Sequence, residues 1–321
     1  MPHGAPLRSA AQAFDSGGGE RTVKRSLRLI SLAFAGIAGL ALTAGAVLSV
    51  VANRRINRQY AVAVVVPTLH SDSAAIQRGR HLAVAVAGCI DCHGYDFGGA
   101  VLGDTPLLGR LVADNITPGR GGVVAGYTDA DWVRTITHGV GPGGRSLLWM
   151  PSRRFRDMAD ADLAALIVFL KSLPPVDREL PPSQFGLLGR ALLPTGILER
   201  TMGPLIAAEW VDHSRLPVPP PTRGVTVEYG RYLARIAYCH GCHGPDLAGG
   251  RGPPPRATNL TSAALRAWSD DDFIRAMRFG ARPDGTPIGP GMPWVSRGQM
   301  TDDELRALWR YIRSAPHDSL R

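Results

Sequence analysis

Every cysteine in this chain lies in one of two copies of the pentapeptide Cys-x-x-Cys-His. The copies are Cys89-Ile90-Asp91-Cys92-His93 and Cys239-His240-Gly241-Cys242-His243. Two thiols at this spacing stand about one helical turn apart, so both can form thioethers with the edge of one porphyrin. The histidine that follows then lies under the ring, where its imidazole reaches iron. The spacing predicts two covalently attached haem c groups, one held by Cys89, Cys92 and His93, the other by Cys239, Cys242 and His243. Other uses of the cysteines fit less well. A four-cysteine zinc site would join pairs far apart in the chain and leave both histidines idle. A thioredoxin-like motif comes with a strand-helix setting that is missing here. Structural disulfides suit an oxidising compartment but also leave the histidines unexplained.

The sequence around the motifs repeats as well. Gly79-Arg80-His81-Leu82-Ala83 precedes the first and Gly230-Arg231-Tyr232-Leu233-Ala234 the second. Downstream, Gly98-Gly99 matches Gly249-Gly250, and Asn115-Ile116-Thr117 matches Asn259-Leu260-Thr261. Tyr127 to Trp132 is echoed by Trp268 to Phe273, and Met150-Pro151 by Met292-Pro293. Each half ends in an apolar stripe at helical spacing: Leu163, Leu166, Ile167 and Leu170, then Leu305, Leu308, Trp309 and Ile312. Thr301 and Glu304 predict a capping box, and Met300 a staple onto Leu305. Pro174 and Pro316 stop the two helices. Between the halves, residues 175–225 are rich in proline with an apolar middle, which predicts a linker packed on the domains. A short segment lying on a membrane surface is the other reading, though the prolines interrupt any long helix.

A haem iron needs a sixth ligand or an open face, and methionine suits a closed electron carrier. The chain has seven methionines. Met1 opens the sequence, Met202 falls in the linker, Met277 in a helical pattern, and Met158 and Met300 at helix entries. Met150 and Met292 remain. Both precede proline in Gly- and Pro-rich loops, at repeated positions. His93 and Met150 are the expected iron ligands of the first site, His243 and Met292 of the second. His138 is the rival in the first half, although its repeat partner is Phe279, which points to a packing role. His81 aligns with Tyr232 and reads as packing between helices. His240 should point outward from its loop.

Near the start, Leu29 to Ala52 carries no charge. At about 1.5 Å per residue this run covers a bilayer core. It is longer than a signal-peptide core, although Ala44-Gly45-Ala46 leaves a cleavage pattern open. The expected organisation is a cytoplasmic disordered tail (1–26), a transmembrane anchor (27–53), a first domain (74–174), a linker (175–225) and a second domain (226–316). The formal net charge is +9, but residues 1–58 hold eight Lys or Arg against two acids. The basic excess is therefore mostly anchor flank, and nothing in it argues for nucleic-acid binding. Lys24 and Lys171 are the only lysines, so a cationic docking face must use arginine.

From the two motifs, the Met-Pro loops and the flanking repeats, the chain resembles membrane-anchored dihaem cytochromes c over about residues 74–316. Each half looks like a class I cytochrome c. The pattern is also similar to cytochrome subunits of periplasmic-facing membrane dehydrogenases, many of which carry three haems where this chain has two motifs. The resemblance implies an all-α fold: an N-terminal transmembrane helix, then two tandem class I cytochrome c domains, with helices over about 74–87 and 227–238 leading into the haem loops. It implies haem domains in the periplasm, anchored to the bacterial inner membrane. It implies a non-enzymatic relay of single electrons from a dehydrogenase or quinol-linked donor to a terminal oxidase or small cytochrome. A dihaem peroxidase-like enzyme or a haem-based sensor, with one open iron site, is the alternative.

Overall fold

A computed structural model describes residues 17–214, 218–250 and 256–314. It divides into two compact units, Met1–Leu48 and Ser49–Arg321. In the first, helix α1 begins at Gly17, and it runs on to Ile56. The tail expected over 1–26 is thus helical from Gly17 onward, and the helix also passes the expected anchor end at 53. Glu20, Arg21, Lys24 and Arg25 are good helix formers, and once the apolar run has nucleated a helix each added residue gains a hydrogen bond. The rest of that tail, 1–16, lies outside the described residues, as does Pro316. Leu29, Leu32, Phe34, Ile37, Leu40 and Leu42 are all exposed. By length and composition, α1 is able to cross a membrane.

In the second unit, α2 (Ser73–His81) starts at Asp72, whose side chain accepts from the Ala75 amide at 2.8 Å. It continues into a π-helical turn, Leu82–Val86. There is a counting reason. One more residue separates Gly79 from Cys89 than Gly230 from Cys239, and a π turn absorbs one extra residue without breaking the helix. The attachment turn α3 (Ile90–His93) follows. After it come strands β1 (Ala100–Thr105) and β2 (Gly109–Ala113), then α4 (Asp129–His138) and α5 (Asp160–Lys171). Strand β3 (Gln184–Phe185) and the short helices α6 (Leu187–Leu192) and α7 (Ile197–Met202) lie in the connecting stretch. The second half repeats the order with α8 (Val227–Ile236), α9 (Cys239–His243), α10 (Asp270–Phe279), α11 (Trp294–Arg297) and α12 (Asp302–Ser314).

The three strands form one antiparallel sheet in the order β1-β2-β3. The all-α expectation missed it. His93 to Asn115 is a longer stretch than His243 to Asn259, and the hairpin uses the surplus. Most of β1 is exposed, so no buried alternation marked it. The connecting stretch also packs. Phe185, Leu193, Leu198, Leu205 and Ile206 form a small second core with Ala52. Arg55 joins it by hydrogen bonds to Glu199, Glu209 and the Leu193 carbonyl.

Helix α2 packs on α5 and α8 on α12, each through a glycine. Gly79 lies against the Ala165 carbonyl and Gly230 against the Ala307 carbonyl. The stripes read from sequence are buried in both terminal helices. Their surroundings differ. Every residue of α5 from Asp162 to Leu170 is buried, as suits a helix that is apolar all round, while α12 keeps an outer face with Arg310 and Arg313 exposed. Both halves contribute to one continuous core, from Leu82 and Phe97 to Trp309 and Ile312.

A charged cluster sits where α2, α5, α8 and α12 meet. Arg78 binds Asp162 at 3.0 Å and Glu304 at 3.2 Å. His81 meets Glu304 at 2.6 Å, and Tyr232 donates to Asp162 at 2.8 Å. Glu304 also closes the capping box with Thr301. Burial alone would push its carboxyl up. His81, the Thr301 amide and Arg78 outweigh that and hold it at about 2, against an ordinary 4.5. A depressed carboxyl stabilises the fold above its unfolded pKa and loses that contribution as pH falls toward the folded value. The window is therefore roughly pH 4.5 to 2, and the shift is worth about 3 kcal/mol. Glu304→Gln should be less stable than the parent in denaturant at pH 6, with the gap closing by pH 2. A gap independent of pH would remove the ionic role of Glu304.

Candidate functional site

The two attachment turns follow the same backbone path. The residue before the first cysteine is left-handed in both, Gly88 (φ 63°) and Tyr238 (φ 67°). Gly94 (φ 76°, ψ 167°) and Gly244 (φ 83°, ψ 163°) end the turns. Phe97 (φ 58°) and Leu247 (φ 61°) are left-handed again, although neither is glycine. That conformation costs on the order of 1–3 kcal/mol at such a residue. Both side chains are buried in the shared core, which offsets the cost. All four cysteines are free thiols. Burial pushes Cys89 and Cys239 up to about 11 each, so they are protonated near neutral pH.

The histidines are oriented by backbone. His93 Nδ1 lies 2.8 Å from the Asp114 carbonyl and His243 Nδ1 2.7 Å from the Thr258 carbonyl. A carbonyl only accepts, so Nδ1 carries the proton in both rings and Nε2 keeps its lone pair. This is the arrangement of a metal-ligating imidazole. Burial lowers the pKa of both rings, against the opposing carbonyl bond, which keeps them neutral. The carbonyls are aimed by the next residue. Asn115 Oδ1 accepts from the Thr117 amide at 3.0 Å, and Asn259 Oδ1 from the Thr261 amide at 2.8 Å. The repeated Asn-x-Thr was the one signal in the sequence for this support.

Met150 and Met292 occupy equivalent places. Each precedes a proline of nearly the same conformation, Pro151 (φ −81°, ψ 51°) and Pro293 (φ −79°, ψ 57°). Each amide two residues on, Ser152 and Trp294, donates to the methionine carbonyl at 2.8 Å. Cys89, Cys239, Met150 and Met292 all pack against the same core. His138 is buried and its Nδ1 lies 3.1 Å from Nδ1 of His213. His240, expected to point outward, instead meets the Tyr311 hydroxyl at 2.9 Å on α12. His81 hydrogen-bonds Glu304 as well as packing.

Sequence reasoning missed two arginines. Arg154 donates to the Ala87 carbonyl at 2.7 Å, two residues before Cys89. Its guanidinium carbon also lies 5.7 Å from the centroid of the Tyr238 ring, one residue before Cys239. Arg297, on α11, is buried and pairs with Asp91 of the first motif at 3.3 Å. Burial, then the charge of Arg297, lowers Arg154 to about 10, so it stays charged at neutral pH.

The side chains present fit haem. Each motif offers two free thiols and an imidazole whose Nε2 is held ready, with a thioether at the matching loop. Among the described residues no three His, Cys, Asp or Glu side chains converge on a point where a metal ion would be held by them alone, so the cysteines are not gathered into one zinc site.

Comparison with known proteins agrees with that chemistry. The cytochrome c family model matches residues 227–316. The chain is 30% identical over 231 residues to a diheme cytochrome c-type protein of Cereibacter sphaeroides, covering 66% of this chain and 74% of that protein. It is 27% identical to the gluconate 2-dehydrogenase cytochrome c subunit of Pantoea cypripedii, over 76% of this chain and 60% of that subunit. It is 29% identical to a nicotinate dehydrogenase subunit of Pseudomonas putida, over 84% of this chain and only 24% of that relative. The chain thus spans about a quarter to three fifths of these two dehydrogenase subunits.

Proposed function

The chain belongs to the dihaem c-type cytochromes, and from that premise we propose that it carries single electrons through two covalently attached haem c groups. The observation that carries this reading is the matched pair of imidazoles, each with Nδ1–H tied to a carbonyl and Nε2 left to bind. Haem supplies one-electron iron chemistry when bound. Cys89 with Cys92, and Cys239 with Cys242, hold the two porphyrin edges. His93 and His243 would bind the iron, with Met150 and Met292 as its further ligands. The protein then sets potential and access, since no position remains for a substrate.

The dehydrogenase relatives support a place beside such an enzyme. In this reading the donor is a membrane dehydrogenase or a quinol-linked protein, and the acceptor a terminal oxidase or another small cytochrome. The exposed leucines of α1 support its role as a single anchor in the bacterial inner membrane, because a row of that kind is costly in water. Residues after about 53 then lie in the periplasm.

Carbon monoxide added to the fully reduced holoprotein tests the closed coordination. The visible spectrum should not change. A change in about half of the haem would mean one open iron, and the carrier would give way to a peroxidase-like enzyme or a sensor.

A further inference from the structure

Each half places an arginine at the other's attachment turn. At the position before the first cysteine, one half has Gly88 and the other Tyr238. A side chain at Gly88 would collide with the Arg297 guanidinium. That space belongs to the second half, whose Arg297 reaches in to Asp91. In return Arg154, from the first half, lies against the Tyr238 ring while bonding the Ala87 carbonyl. One guanidinium therefore stands beside the entry to both Cys-x-x-Cys-His turns, and a second, from the other half, pairs with the first turn. Both side chains follow a methionine loop, Arg154 after Met150 and Arg297 after Met292.

The charge at this junction is not balanced. Asp91 is the carboxylate paired with Arg297, whereas Arg154 bonds a carbonyl. The Nε atoms of both arginines are buried without a hydrogen-bond acceptor. Replacing such a pair by apolar side chains often leaves a protein equally or more stable, so stability is a poor reason for keeping it here. A fixed positive charge has a second effect. It disfavours the ferric state of a nearby haem, which carries one more positive charge than the ferrous state.

We propose that Arg154 and Arg297 form a cationic bridge between the two haem sites, which raises both reduction potentials. This rests on the two-haem reading above. Arg154 has the larger influence, because its hydrogen-bond partner is a neutral carbonyl whereas Arg297 pairs directly with Asp91. Both arginines are positioning residues: they act on the electron equilibrium through charge.

The experiment is a spectroscopic redox titration of purified holoprotein, parent against Arg154→Gln, Arg297→Gln and Arg154→Lys, after a haem count on each. Arg154→Gln should make reduction about tenfold less favourable, which is 59 mV for one electron. Arg297→Gln should give a smaller shift in the same direction. Arg154→Lys keeps the charge and should stay near the parent, a rescue that a purely structural role does not predict. Two haems per chain with unchanged potentials in both glutamine variants would overturn the bridge and leave the carrier reading intact. Fewer than two haems in the parent itself would overturn the two-haem reading, and the bridge with it.

Discussion

Replacing Cys89 and Cys92 together with alanine should halve the covalently bound haem and leave the second site loaded. The thiols serve in pairs. Each attachment turn holds its own two at Cys-x-x-Cys spacing, so neither turn is expected to borrow from the other. Without thioethers, His93 and Met150 can hold a haem only by coordination, and denaturation releases it. On a denaturing gel the haem stain should fall to about half, and the quadruple variant with Cys239 and Cys242 also replaced should show none. The loss should reach beyond the first site. Cys89 and Met150 pack against the same core as Phe97 and Trp132, and an absent porphyrin leaves apolar surface there without a partner. That core continues into the second half, so the whole unit should melt earlier and in one transition. Full haem in the double variant would mean that the cysteines are not the attachment points. Total loss would mean that the second turn cannot be loaded alone.

The second large effect is expected at Gly79 and Gly230. In an ordinary helix position Gly→Ala stabilises by about 1 kcal/mol, because alanine has less backbone freedom to lose. Here the sign should reverse. A methyl at Gly79 would overlap the Ala165 carbonyl and the Phe169 Cβ, and one at Gly230 the Ala307 carbonyl and the Tyr311 Cβ. These obstacles are backbone or the first atom of a side chain, so no rotamer change relieves them. The helices must move apart. Overpacking of this kind costs about 1–3 kcal/mol and sometimes more, and separation would also stretch the Arg78–Asp162–Glu304 cluster beside it. Either single variant should lower the denaturation midpoint, with haem content retained as the control. A midpoint equal to or above the parent would show that the helices are not held at this distance by glycine.

Legibility followed the range of the interaction. Thr301 and Glu304 cap a helix across three residues, and the Leu163 and Leu305 stripes follow the helical period, so a short window reveals them. The attachment motifs and the matched Met-Pro loops are equally local. By contrast Glu304 also answers Arg78 and His81, more than two hundred residues away, and nothing near it in sequence announces that. The hairpin escaped notice because β1 buries little, and a strand without a buried face leaves no alternation. The left-handed Phe97, Leu247 and Tyr238 gave no sign either, since their side chains suggest neither turn nor strain.

The chemistry on offer is written along the chain: two pairs of thiols, each with its histidine, and a methionine loop for each. So are the repeat, the helices and their caps, because all of these are short-range. How that chemistry is held depends on contacts between distant parts of the fold. The carbonyls of Asp114 and Thr258 set the imidazole tautomers, and a carbonyl carries no residue identity to read. Arg154 and Arg297 look like surface arginines until packing brings the two turns together. Those contacts come from closing long loops around one core, which depends on the whole chain and so is written in no single window of it.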